Sequence, residues 1–205
     1  MKPPKAPRLL IVTLAEAHWA IHGPMHQPMP THYIFAVRGY RATTMGPTKG
    51  NDVGIWDDAM FYVSPTTFLA ENANTDPSRY GWNRNAGKPM AVLNKGFWPF
   101  RRGPHKGRIP AFRQMTSEEA RFKRVPNDGR FSVTRTHAPG DKRNYQEAGY
   151  YAINVHPGGV NGTSSEGCQT LPRDRADKFL QTVWDETEKA NIGVIWYGLA
   201  EGPIV

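Results

Sequence analysis

One histidine and one cysteine in this chain are spaced so that a covalent acyl transfer could run between them. Cys168 is the only cysteine of 205 residues, and His156 precedes it by twelve positions. Both lie in Y-Y-A-I-N-V-H-P-G-G-V-N-G-T-S-S-E-G-C-Q-T-L-P, Tyr150 to Pro172. A free thiol is mostly protonated near neutral pH, so a nucleophilic cysteine needs a base beside it. Gly167, just before the cysteine, lets backbone N–H groups approach a developing oxyanion. The competing reading is a small buried hydrophobe, the commonest fate of a lone cysteine. A run of Gly, Ser, Glu and Asn is a poor setting for that role.

The elements that must position the pair follow from local pattern. Tyr150 to Val155 is aromatic and β-branched, which predicts a strand with His156 at its end. Pro157, Gly158, Gly159 and Gly162 then require a loop. Pro172 suits the first turn of a helix. Ala176, Phe179, Leu180, Val183, Trp184 and Ala190 fall at helical spacing, so that helix buries one face. Asn191 and Gly193 end it, and Ile192 to Leu199 predicts a buried strand.

The stretch resembles the active-site signature of the YkuD-type L,D-transpeptidase family. That pattern is a histidine, a glycine-rich loop, Ser/Thr-His-Gly-Cys, an apolar residue and Arg or Asn. His156, Ser165, Gly167 and Cys168 match it, and Leu171-Pro172 leading into a helix also fits. Glu166, Gln169 and Thr170 depart from it. Ser-x-Gly-Cys with a central glutamate is similar to divergent relatives among phage-lysis enzymes and secreted peptidoglycan-cleaving effectors. The resemblance implies a mainly β domain and no cofactor or metal. It implies Cys168 as nucleophile, His156 as base, and the carbonyl of Pro157 fixing the histidine tautomer. It sets Ser165, Glu166, Thr170, Gly158 and Gly159 on the substrate side of the loop. The implied reaction is acyl transfer at peptidoglycan stem peptides. A glutamate at 166 puts negative charge beside the thiol, which calls for a compensating cation; Arg101, Arg102, Arg143 and Arg173 are the candidates.

The rest of the chain fits one domain, 8–205, behind a proline-rich tail, 1–7, expected to be mobile. Hydrophobic residues make up 39%, the mean hydropathy is −0.60, and no apolar run approaches the ~20 residues of a membrane span. Leu9 to Leu14 is too short for a signal peptide's apolar region and is read as a first strand. The expectation is therefore cytoplasmic synthesis and delivery to the periplasmic or extracellular wall by other means. A single cysteine excludes an internal disulfide. A net charge of +8 favours anionic polymers of the cell envelope, or nucleic acid. The latter is the alternative function class: a non-catalytic basic structural or nucleic-acid-associated protein with Cys168 buried.

Further along, His18, His22, His26 and His32 sit in a segment read as an ordered surface loop rather than a metal site. Strands are predicted at His32–Gly39, Ala59–Val63 and Phe131–His137. Residues 45–54 are turn chemistry throughout. Lys95 to Arg113 interleaves cations with aromatics but carries three prolines and three glycines, so it reads as a long loop, either on the substrate side or against an anionic polymer, or plainly packed, with nucleic-acid contact the weakest alternative. Thr116-Ser117-Glu118-Glu119 has the form of a capping box and predicts a short helix. The overall expectation is a β-sandwich or barrel-like sheet with one long and one short helix.

Overall fold

The computed structural model describes residues 2–41, 51–79, 81, 88–138 and 140–203. The turn predicted over 45–54 lies outside them as far as residue 50. Eleven strands form two sheets among the described residues. They are β1 (Tyr33–Arg38), β2 (Asp58–Val63), β3 (Phe68–Ala73), β4 (Met90–Leu93), β5 (Gly96–His105), β6 (Ile109–Gln114), β7 (Phe131–Thr136), β8 (Tyr145–Gly149), β9 (Asn154–Pro157), β10 (Gln169–Leu171) and β11 (Ile195–Glu201). The large sheet runs β10-β9-β6-β5-β11-β1-β2-β3, and the small one β4-β7-β8. The two edges of the large sheet meet just beyond β3. There Asn74 N–H donates to the Thr170 carbonyl at 2.9 Å, and Thr170 N–H to the Asn74 carbonyl at 2.8 Å. The sheet thereby curls into a nearly closed barrel, the arrangement that best hides unpaired edges.

Strand alternation divides the apolar residues between two cores. Ile34 and Ala36 of β1 join Met60, Tyr62, Phe100, Phe112, Val155, Leu171 and Tyr197 in the larger one. Helix α3 (Arg173–Lys189) adds Ala176, Phe179, Leu180 and Val183. Phe35 and Val37 point the other way, into a second core with Phe61, Phe97 and helix α1 (Arg8–His22).

Helix α1 corrects the first strand predicted at Leu9–Leu14. A short apolar run fits either element by periodicity alone. Here the run continues into the strong helix formers Ala15, Glu16 and Ala17, and Ile11, Ala15 and Trp19 form a buried i, i+4, i+8 stripe. Gly23 caps the helix through its N–H to Trp19 O at 2.7 Å, and Pro24 follows. The helix therefore takes in His18 and His22 of the segment read as a loop. The tail before it lies against the sheet: Pro4 is buried, and Asn72 donates to the Lys2 carbonyl at 3.2 Å.

The predicted short helix is present as α2 (Ser117–Phe122), with both bonds of its capping box formed between Thr116 and Glu119. The segment Lys95–Arg113, read as a loop, is instead the β5–β6 hairpin, with Phe100↔Gln114 through His105↔Ile109 in register. Its tip is the three residues 106–108 between the paired His105 and Ile109. Lys106 and Gly107 both have positive φ (50° and 76°), and Arg108 N–H returns to His105 O. Short hairpin loops commonly use such left-handed residues.

Candidate active site

The site forms where β9 and β10 run side by side. The two strands are parallel, with Thr170 opposite His156 and Gln169 opposite Val155. Parallel neighbours cannot be joined by a tight turn, so residues 158–168 must carry the chain back. The predicted strand starts later than expected, at Asn154 instead of Tyr150, because Ala152 takes a positive φ of 53°. His156 is thus inside β9. Val155 and Leu171 face the larger core, so alternation turns His156 and Thr170 to the opposite face. Cys168, one step before β10, falls on that same face as a diagonal neighbour of His156.

His156 is only 7% exposed. Its Nδ1 lies 2.6 Å from the Pro157 carbonyl oxygen. A carbonyl only accepts, so the proton sits on Nδ1 and Nε2 keeps its lone pair. Burial holds the imidazole pKa down at about 4, helped by the neighbouring His105 and opposed by the Pro157 carbonyl. Cys168 is half-buried, and its thiol donates a long 3.9 Å contact to Ala152 O. Burial raises that thiol to about 11; the Asn154 N–H pulls it down, Glu166 pushes it up, and Lys106 pulls it down again. Both groups are neutral at rest. Among the described residues no hydrogen bond joins them.

The loop residues divide between bracing and exposure. Ser165 is buried: its Oγ donates to Cys168 O at 2.6 Å and accepts from Gly167 N–H at 2.9 Å. Its backbone is clamped by Ser78, whose N–H and Oγ both reach Ser165 O and whose Oγ accepts from Ser165 N–H. Gly167 has φ +138°, and a Cβ there would sit 2.5 Å from the Ala91 carbonyl of β4. Gly158 is buried against Trp56 and donates its N–H to Leu171 O at 2.8 Å. Gly159 packs on Ser164. Thr170 is fully buried, and its backbone closes the barrel. Glu166 is exposed. Ser165 and Thr170, expected to face substrate, are braces; Glu166 and Gly159 are the accessible ones.

One departure from the resembled pattern, Gln169, has a physical reason. Gln169 points into the barrel, where Tyr197 Oη donates to its Oε1 at 2.8 Å and its own Nε2 donates to Gly167 O at 3.1 Å. A buried tyrosine hydroxyl needs a partner, and an apolar residue at 169 would leave it none. The four arginines named as candidate cations for Glu166 have other partners among the described residues. Arg101 pairs with Glu119, Arg143 with Asp141, and Arg102 reaches Thr187, while Arg173 donates to Gly158 O. The charge that reaches the thiol comes from Lys106, at the hairpin tip.

Sequence reasoning missed His105 and Asn154. His105 stacks on His156 with ring centroids 4.0 Å apart and planes 7° from parallel. Asn154 Nδ2 donates to His105 Nδ1 at 3.1 Å. A Lys-Gly turn between alternating strands was the available signal for the hairpin that delivers His105.

Asp57, just before β2, and Asp58, its first residue, are both buried and hold different backbone partners. Asp57 accepts from Asp52 N–H; Asp58 accepts from Gly39 and Thr75. No group of three or more metal-ligating side chains occurs among the described residues, the His18–His32 segment included. No helix among them is long and apolar enough to cross a membrane.

No protein-family model matches the chain, and no curated protein matches it. The functional reading therefore rests on the site.

Proposed function

We propose that the protein is a cysteine-dependent acyl transferase of the L,D-transpeptidase type that acts on peptidoglycan stem peptides and uses water as acceptor, making it a wall-degrading peptidase. The observation that supports this most is the Nδ1–Pro157 carbonyl bond of His156, which leaves a basic Nε2 on the face shared with Cys168. In the reaction, Nε2 takes the thiol proton as Sγ attacks the amide carbonyl carbon. The neutral resting pair makes this concerted general-base catalysis and not attack by a preformed ion pair. The Gly167 N–H is already donated to Ser165, so the N–H of Cys168 itself holds the oxyanion. Nε2–H then protonates the leaving amine as the C–N bond breaks. The thioester left on Sγ is cleared by water, which His156 deprotonates in turn. An amine acceptor in place of water gives a cross-link instead.

The test is mass spectrometry of muropeptides incubated with the protein. Wild type is expected to shorten the stem peptides, and Cys168→Ala to leave them intact while keeping the wild-type circular dichroism spectrum. A Cys168→Ala variant as active as wild type rejects the mechanism. An inert wild type that binds DNA in a salt-dependent way points to the non-catalytic basic protein.

A further inference from the structure

The β5–β6 hairpin brings a second imidazole to the site, from outside the Tyr150–Pro172 stretch. His105 and His156 lie face to face, 4.0 Å apart and within 7° of parallel. Both rings are tied to β9, by different bonds. His156 is held at Nδ1 by the Pro157 carbonyl. His105 is held at Nδ1 by the side chain of Asn154, which donates an N–H, so the His105 proton is on Nε2. Asn154 is itself buried and stands two residues before His156 on the same strand. The tight turn over residues 106–108, closed by Arg108 N–H to His105 O, fixes the hairpin end that carries His105.

A ring held by one hydrogen bond at one edge can still pivot about that bond. A parallel plate against its face removes the pivot. We propose that His105 is a positioning residue: its ring holds the plane of His156 so that Nε2 stays directed to the nucleophile's side, and its bulk keeps water off the face of the base. This rests on the reading of His156 as the base for Cys168. The plate works only when neutral. The charged groups that act on it are Lys106 at the hairpin tip and Arg113 on β6, and the titratable group against its face is His156. Two imidazolium rings 4 Å apart beside Lys106 and Arg113 would repel strongly. Burial and these cations push His105 below its ordinary range, so it stays uncharged at neutral pH.

The experiment follows acylation of Cys168 by p-nitrophenyl acetate in the full chain, from pH 5 to 8. The new bond is Sγ–acyl and the bond broken is the ester C–O; the thiol proton leaves through His156, and p-nitrophenol is released. No peptidoglycan is needed, and only one thiol can report. Wild type should be nearly flat over this range. His105→Ala should lower the rate on the order of tenfold to a hundredfold, the scale of a misplaced catalytic group. It should also make the rate decline below about pH 6.5, as water reaches His156 and its pKa returns toward the ordinary value. His105→Phe restores a plate and should stay within about threefold of wild type with a flat profile. A wild-type rate and profile in His105→Ala overturns the proposal. So does a folded His105→Phe variant slowed tenfold or more against wild type, because the plate would then not be what matters; this comparison with wild type decides if His105→Ala fails to fold. His156→Ala separates the two readings. If it matches wild type, the base assignment fails; if it is slow while His105→Ala is not, only the positioning role fails.

Discussion

At the scale of single residues, two charged neighbours among the described residues push the thiol in opposite directions. Glu166 raises the Cys168 pKa and Lys106 lowers it, on top of the larger effect of burial. Both charged side chains are exposed, so solvent and salt screen them. Removing either should nonetheless move the thiol in opposite directions. Glu166→Gln is expected to lower the apparent pKa read from iodoacetamide alkylation against pH, and Lys106→Met to raise it. Each shift should shrink in 1 M salt, where the Debye length falls to about 3 Å. Shifts of the same sign in both variants would mean that loop rearrangement, not charge, controls the thiol. The contrast with Ser165 is instructive. That residue is spent on backbone, with its hydroxyl bonded to Gly167 and Cys168, and it has no charge to offer the reaction.

At the scale of elements, the return loop 158–168 is pinned at Ser165 by Ser78 and at Gly167 by the close approach to Ala91 O. Gly167→Ala puts a methyl carbon 2.5 Å from a backbone oxygen at a φ of +138°. β4 or the loop must then move, and Cys168 with it. The expected cost is about 1–3 kcal/mol, the range for strained backbone. Chemical denaturation should show it, together with loss of muropeptide cleavage out of proportion to the stability change. An equally stable, active Gly167→Ala would show the approach to be compliant. The same elements explain what could be read in advance. Helix α3 was legible because Ala176, Phe179, Leu180 and Val183 keep one helical face, and α2 because Thr116 and Glu119 announce a capping box. Helix α1 was not, because Leu9 to Leu14 is apolar but for Thr13 and the buried stripe shows only once Trp19 is included. The β5–β6 hairpin was hidden by its prolines. Pro104 and Pro110 sit opposite each other near the tip, where a missing N–H does little harm. With the hairpin hidden, His105 had no route to His156 in the sequence. The pairing of Gln169 with Tyr197 was equally invisible, because it spans the barrel interior.

At the scale of the whole molecule, the barrel buries ionisable groups whose folded-state pKa values pull stability in opposite directions as pH falls. His156 and His18 are both held at about 4 by burial. Each is neutral in the fold but protonated in the unfolded chain below about 6.5, so each withdraws stability as pH drops from 6.5 towards 4. His22 and His105 are pushed the same way. Asp57 does the reverse. Burial raises it to about 6, so between about pH 4 and 6 the folded protein holds a proton there that the unfolded chain has lost. Its contribution is largest in acid and fades as pH rises through 6. In that window the histidines favour proton binding by the unfolded chain and Asp57 opposes them. Removing one such group should change the slope by about one proton, or about 1.4 kcal/mol per pH unit. Substitutions separate the parts. His18→Phe should fill the space beside Phe35 and Phe97, against which the ring already packs. It should also remove one liability and flatten the profile. Asp57→Asn should remove the opposing group and steepen it by about one proton. Urea unfolding at pH 4.5, 5.5 and 6.5 measures all three slopes. If Asp57→Asn gives a profile no steeper than wild type, Asp57 is not the group that offsets the histidines, and acid tolerance must come from another buried carboxyl, with Asp58 beside it the first to examine.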